Sequence, residues 1–391
     1  MGIVATYDVV IVGGSLAGIT CAQALRTEGF DGTILIVGDE RYLPYNRPPL
    51  SKQVLLNKWQ IDQTALISRE KGAELNIEFV LGRAATGLDL ASKALLVGRE
   101  SYHFSKLIIA TGVSPRNLVV QGDVDDVLLL RTVDDVLAIK ERLGSSKRIA
   151  MVGAGVLGCE MTSAFAQMGH QVQLIERLAG PQMPNTGGHI SQKIHAELVN
   201  NGINTHYGVA VRSISRVTDG IIVELDNSSN ILVDMVVASI GSVPNTQWLP
   251  SDLIDTTNGV LCDSTGLVVP DVYAIGDVAR WQLRSEETAR RIENQTSAIN
   301  QALAVAKFIV SGTASPTTEP FFWSEIFEKK ILLSGILDPD PGSVRILNGD
   351  FSGDKFIIAT EVNGSYTGVL SWNMPREFRE ARKLLKGEVN G

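Results

Sequence analysis

An unbroken alternation of strand-like and helix-like runs, two glycine-rich strand-to-helix turns, and a change of texture near the C-terminus predict the fold class. It is α/β, with two Rossmann-like dinucleotide-binding domains and a C-terminal α+β domain with an antiparallel sheet. The alternation runs from Tyr7 to about Gly312 and predicts parallel sheets. From about Glu319 the runs shorten. Phe321–Ser324, Lys330–Ser334, Val344–Leu347, Phe356–Thr360 and Tyr366–Leu370 are split by Gly, Asp, Asn and Pro, which reads as an antiparallel sheet. The charged segment Pro375–Lys386 reads as a closing amphipathic helix, and Ser311–Thr318 as a linker into this last part.

The first glycine-rich turn follows the apolar run at Tyr7–Val12 and reads Gly13-Gly14-Ser15-Leu16-Ala17-Gly18. Gly13 permits the tight turn and Gly18 lets the helix pack close to the strand. The middle position normally lets the backbone approach a pyrophosphate at the helix N-terminus, and here Ser15 occupies it. A helix over Ala17–Arg26 and a second strand over Thr33–Val37 follow. Asp39 and Glu40 come next, and an acid there can accept hydrogen bonds from a ribose. The second turn, Gly153-Ala154-Gly155-Val156-Leu157-Gly158, is the complete pattern, and its next strand ends at Glu176. A carboxylate there suits a free ribose 2′-hydroxyl and repels a 2′-phosphate, which favours NADH over NADPH, although Arg177 follows directly. Two such sites on one chain imply electron transfer between two dinucleotides.

Composition narrows the classes. No run of about 18 apolar residues is present, so no membrane span is expected. Neither a secretory nor a transit segment is expected at the N-terminus. The formal charge of −8 argues against nucleic-acid binding. Cys21, Cys159 and Cys262 have no metal-ligand spacing and suit a reducing, cytoplasmic setting.

At Pro44-Tyr45-Asn46-Arg47-Pro48-Pro49-Leu50-Ser51-Lys52 the chain resembles the ferredoxin and rubredoxin reductases of bacterial oxygenase systems. These are two-dinucleotide flavoproteins of the pyridine nucleotide-disulfide oxidoreductase superfamily. Further matches are Leu107–Gly112, Ile240–Thr246, Val272–Ala279, Arg291–Asn294 and Phe322-Trp323-Ser324, in the family's order and spacing.

The resemblance implies FAD and NADH as cofactors and three domains. Residues 1–113 with 237–318 would bind FAD, 114–236 would bind NAD, and 319–391 would form the C-terminal domain. It places Gly13, Ser15, Leu16 and Ala17 on the FAD pyrophosphate and Asp39 or Glu40 on its ribose. Arg47 and Pro48 line the flavin side, with Ala110, Thr111 and Gly112 close to FAD. Arg131 reaches the flavin cofactor, Gly276 and Asp277 meet the ribityl chain, and Trp323 lies beside the isoalloxazine ring. On the NAD side it implies Gly153, Gly155, Val156, Leu157, Gly158, Glu176 and Gly241. Lys52 by flavin N5, paired with Glu160, carries the mechanism: a cation there stabilises the charge of a reduced flavin.

Disulfide reductases of this superfamily place redox cysteines within the stretch corresponding to Arg41–Leu56, and none is present. Electrons are therefore expected to leave directly for a one-electron carrier, a [2Fe-2S] ferredoxin first and rubredoxin second. Such carriers are acidic, so a local basic face is expected, with Arg376, Arg379, Arg382, Lys383 and Lys386, or Lys329 and Lys330, as candidates. Two other functions share these motifs: an NADH oxidase or diaphorase, and a signalling flavoprotein like apoptosis-inducing factor. The segment Asn258–Asp271 and the last domain are short for the family. The sequence is silent on oligomeric state.

Overall fold

A computed structural model describes residues 2–282, 289–315 and 320–386. The end of the expected linker, and the boundary expected at 318/319, lie outside them. The chain divides into two compact units. One comprises Met1–Asn46, Asp62–Ser114 and Val243–Pro320; the other comprises Arg47–Ile61, Pro115–Ser242 and Phe321–Gly391. The segments expected to bind NAD and to form the C-terminal domain therefore share a unit, together with Arg47–Ile61.

The first unit is built on a sheet with the strand Gly2–Val12 at its centre. Ile34–Val37 and Glu100–Ile109 flank it in parallel, Ile77–Val80 extends one side, and Val272–Ala274 the other. The run Ile34–Val37 is buried at every position, as a strand covered on both faces must be. Two helices carry small residues inward: Leu16–Thr27 buries Ala17, Gly18, Cys21, Ala22 and Ala24, and Gln295–Ser311 buries Ala298, Ala302 and Ala306. Small side chains allow close helix packing. Gln295–Ser311 is capped by Asn294, whose side chain accepts from Ser297 N–H at 2.7 Å, and it ends at Gly312 with φ +68°.

The second unit repeats the arrangement around Arg148–Val152, with Gln171–Glu176, Asn204–Tyr207, Met235–Ala238 and Val127–Leu128 all parallel in one sheet. The parallel expectation fails in the first unit, where Gly87–Asp89, Ala94–Val97 and Glu100–Ile109 pair antiparallel in turn and Leu267–Val269 pairs antiparallel with Val272–Ala274, and again between residues 211 and 233. Val211–Val217, Gly220–Leu225 and Asn230–Val233 form an antiparallel meander. The reason is local: the turn that Gly220 (φ +142°) closes and the one that holds Ser228 (φ +66°) are far too short for a crossover helix. All five expected C-terminal strands pair antiparallel, in the order Phe321–Ile326, Lys329–Gly335, Ser365–Trp372, Phe356–Val362, Val344–Gly349. The expected closing helix is instead one α-turn, Phe378–Ala381, followed by a 3₁₀ turn, Arg382–Lys386. Its charge spacing is helical, but Phe378 is the one fully buried side chain among its described residues, too little apolar surface to hold a long helix down.

The strand Arg148–Val152 is fastened at its start by Asp234, which accepts from the Lys147 and Arg148 amides at 2.8 Å each and from the Arg148 guanidinium. The Arg148 side-chain bond, then the two amides, hold the Asp234 carboxyl down at about 2. A depressed folded-state pKa contributes stability above the unfolded value and loses it as pH falls toward the folded one. Asp234→Asn is therefore expected to cost about 2 kcal/mol at neutral pH. The gap from wild type should close between about pH 4 and pH 2, read as urea midpoints across that range.

Candidate functional site

The two glycine turns are near copies. A Cβ on Gly13 would lie 2.1 Å from the Ala110 carbonyl oxygen, and one on Gly153 2.1 Å from that of Ser239. Gly18 and Gly158 are equally closed, against the carbonyls of Gly13 at 2.1 Å and Gly153 at 2.0 Å. Gly155 differs: a Cβ there meets nothing within 4 Å. Gly18 and Gly158 thus serve the strand–helix approach, Gly13 and Gly153 let the turn pass against a neighbouring segment, and the middle glycine, Gly155, faces open space at the helix N-terminus. Ser15 holds the matching N-cap position of the first helix. The first-turn amides of Leu16 and Ala17, and of Val156 and Leu157, have no acceptor within their own helices. This is the donor set a pyrophosphate requires, so the residues present fit FAD in one turn and NADH in the other.

The acids after the second strands are placed differently. Val12 pairs with Val37 and Val152 with Ile175, so Gly38, not Asp39, is the register counterpart of Glu176. Asp39 is exposed, and Glu40 accepts a hydrogen bond from the Tyr45 hydroxyl. Glu176 folds back onto its own glycine turn, accepting from Ala154 N–H at 2.7 Å and Leu178 N–H at 2.9 Å. Each oxygen keeps an acceptor site for a further donor.

In the first unit, three expected FAD segments converge. Ala110 closes on Gly13, and a Cβ on Gly276 would sit 2.9 Å from that of Ala17, so the Gly276–Asp277 turn abuts the first helix. Gln301 holds that turn through the Gly276 amide at 2.7 Å. Thr111 and Gly112 are latched to Asn245: the Thr111 hydroxyl donates to its carbonyl at 2.7 Å, and its amide donates to the Gly112 carbonyl at 3.0 Å. Asn245 and Gln301 were not among the expected site residues.

In the second unit the motif segment 47–52 meets the NAD-side helix and the C-terminal sheet. Arg47 donates to the Arg131 carbonyl at 2.7 Å. The Arg131 and Thr132 amides in turn bond Asp135 at 2.8 and 2.7 Å, within the capping box of the helix Val133–Leu143. Pro48 begins the 3₁₀ turn that ends beside Lys52. The Lys52 Nζ donates to Glu160 Oε2 at 2.7 Å, with side-chain exposures of 10% and 6%. Ser51 Oγ donates to the same oxygen at 2.9 Å, and Ser324 Oγ to Oε1 at 2.8 Å. Lys52 Nζ also lies 4.9 Å from the Trp323 ring centroid, within cation–π range. Gly241 accepts from the Arg116 amide at 2.9 Å. Ser51 and Ser324 complete the cluster; both belong to motifs quoted above, but no sequence pattern pairs them with residue 160.

Cys21, Cys159 and Cys262 are buried and unpaired with one another. Burial pushes the Cys21 thiol up to about 12 and raises the other two as well. None is a ready thiolate. Among the described residues, no group of three or more His, Cys, Asp or Glu side chains could hold a metal, and no helix is long and apolar enough to cross a membrane.

Residues 7–302 match the family model described as pyridine nucleotide-disulphide oxidoreductase. The chain is 29% identical over 386 residues to the benzene 1,2-dioxygenase system ferredoxin–NAD(+) reductase subunit of Pseudomonas putida, covering 97% of this chain and 93% of the relative. It is 32% identical over 386 residues to the p-cumate 2,3-dioxygenase system ferredoxin–NAD(+) reductase component of the same species, covering 97% and 93%. Among solved structures, the covalent putidaredoxin reductase–putidaredoxin complex aligns with a TM-score of 0.91 at 25% identity, over 97% of this chain and 93% of that one.

Proposed function

The chain belongs to the pyridine nucleotide-disulphide oxidoreductase family, and we propose that within it the protein is an FAD-dependent NADH:ferredoxin reductase. It serves an oxygenase, either a ring-hydroxylating dioxygenase or a cytochrome P450. One observation carries this reading: a buried lysine–glutamate pair stands where the disulfide-reducing members have redox cysteines nearby, and the segment Arg41–Leu56 has none. Bound FAD supplies the chemistry of accepting a hydride and giving up electrons singly. The protein's own residues do the rest. The two glycine turns hold the pyrophosphates. Arg47, Pro48, Thr111, Gly112, Arg131 and Asp277 fix the flavin's position, and Glu176 and Gly241 that of the nicotinamide cofactor. Lys52 stabilises negative charge from a low-dielectric position, while Glu160 neutralises Lys52 when that charge is absent.

Electrons leave for a [2Fe-2S] ferredoxin, with rubredoxin the second choice. The structure narrows the candidate docking cations. Arg382 is spent packing over Phe321 (5.0 Å) and Phe378 (6.0 Å), Lys383 pairs with Glu380 at 2.5 Å, and Lys329 with Asp354 at 3.4 Å. The Lys386 side chain lies outside the described part of the molecule. We assign docking to the exposed Arg376, Arg379 and Lys330. The three buried thiols and the NADH reading suit the cytoplasm.

NADH-dependent cytochrome c reduction, with and without an acidic [2Fe-2S] ferredoxin, tests the function. Turnover should depend on ferredoxin; reoxidation by air as fast as by ferredoxin would make the protein an oxidase instead. Arg376→Glu with Arg379→Glu should lower ferredoxin reduction at low salt by about tenfold and flatten its salt dependence. An unchanged rate and salt slope would move the docking face elsewhere.

A further inference from the structure

A small cleft of about 50 Å³ opens against the buried pair, lined by Lys52, Lys58, Glu160, Ser163, Gln167 and Glu325 among others. Glu160, Ser163 and Gln167 fall three and four residues apart on the helix Val156–Gln167, so they share one face. That face grades from buried at Glu160 and Ser163 to exposed at Gln167. Ser163 and Gln167 are linked: the Gln167 amide donates to Ser163 Oγ at 2.9 Å, and the Phe327 amide donates to it at 2.6 Å. A polar cavity of this size has room for water.

The hydrogen bonds at Glu160, which lines the cleft, leave one acceptor position unfilled. A carboxylate oxygen accepts about two hydrogen bonds. Oε2 has both, from Lys52 and Ser51; Oε1 has one, from Ser324. The ionisable groups around Glu160 are Lys52 and Lys58 from the segment 47–61, Glu325 from the C-terminal sheet, and Cys159 on its own helix. Lys52 is the one donating to it.

The overall reaction has a proton to dispose of. NADH and two oxidised ferredoxins give NAD⁺, two reduced ferredoxins and one H⁺, because the hydride leaves as two electrons and a proton. We propose that this cleft is the outlet for that proton, with Glu160 as the relay between the Lys52 ammonium and water in the cleft; this rests on the reading that flavin binds beside Lys52. Lys52 gives its proton to Glu160 across the 2.7 Å bond as it takes up the released one. A turn of the carboxyl group then presents the proton to the cleft. Glu160 is a positioning and relay residue, acting through Lys52.

The test uses photoreduced, FAD-loaded protein mixed with ferricyanide in weak buffer containing a pH dye. Two electrons go to two ferricyanide ions and one proton to the medium, so neither NADH nor ferredoxin is needed. In the wild type, proton appearance should keep pace with flavin reoxidation. In Glu160→Gln it should slow by about 100-fold, the low end of what a positioned proton carrier contributes, and gain a solvent deuterium isotope effect. Gln167→Phe, a plug at the exposed mouth that leaves the pair untouched, should slow it in the same sense. Proton release at the wild-type rate in both variants overturns the proposal. Refusal of ferredoxin alongside slowed proton release would overturn the partner assignment and leave the outlet standing.

Discussion

Lys52→Met is expected to slow reduction of the bound flavin by NADH by about 100- to 1,000-fold, the range lost when one preorganised charge-stabilising group is removed from a dry site. The size follows from burial. Lys52 is 8% exposed, so its charge is poorly screened by solvent. The flavin midpoint potential should fall as well, because the cation favours the negatively charged reduced form. Stability should also suffer. Glu160 would keep Ser51 and Ser324 but lose its counter-charge, and breaking a buried pair from one side costs about 3–5 kcal/mol. The double variant Lys52→Met/Glu160→Leu should recover much of that stability without recovering the rate, since a pair replaced whole by apolar groups leaves no orphaned charge. Stopped-flow reduction, potentiometry and thermal melts on the wild type, Lys52→Met, Glu160→Leu and the double variant separate the two effects. A wild-type reduction rate in Lys52→Met would remove Lys52 from the mechanism.

How much of this was legible in the sequence depends on how far apart the interacting residues lie. The glycine turns were, because strand, turn and helix are contiguous and Gly18 and Gly158 close on their own turns; the contacts of Gly13 with Ala110 and of Gly153 with Ser239, far along the chain, were not. Also legible were the five C-terminal strands, whose punctuation by Gly, Asp, Asn and Pro marks every turn between them except Phe327-Glu328. The meander after Val211 was hidden inside an alternation that a parallel domain would also produce; the short turns before Gly220 and at Asp226–Ser229 are its local signs. The closing helix was misread because charge spacing reports helical period, while a helix persists only if its apolar face has something to cover. The Lys52–Glu160 pair joins residues 108 apart and was reachable only through the family resemblance. The serines that complete it lie in two of the matched motifs but carry no periodicity and no charge, so no pattern in the chain pairs them with Glu160. Asn245, inside the Ile240–Thr246 match, and Gln301 hold backbone turns, a duty that no sequence pattern announces.

The second large effect separates the glycines of the complete turn from one another. Gly153→Ala should destabilise the second unit by about 3 kcal/mol or more, through overpacking and backbone strain together. Its φ is +103°, and the added methyl would lie 2.1 Å from the Ser239 carbonyl oxygen, an atom of a neighbouring loop with no freedom to rotate away. Gly155→Ala should behave in the opposite way. Its φ of −74° suits any residue and the methyl meets nothing within 4 Å, so the fold should lose about 1 kcal/mol or less, the ordinary penalty for alanine at an N-cap. The methyl does occupy the space into which the pyrophosphate must come, so NADH should bind at least about tenfold more weakly, equivalent to 1.4 kcal/mol. FAD content should stay near wild type in Gly155→Ala, because the turn that holds FAD belongs to the other unit. Thermal melts, flavin absorbance and NADH titration on the two variants give the contrast. Equal loss of stability in both would mean that the middle glycine is structural, and that open space at Gly155 is not where the cofactor approaches.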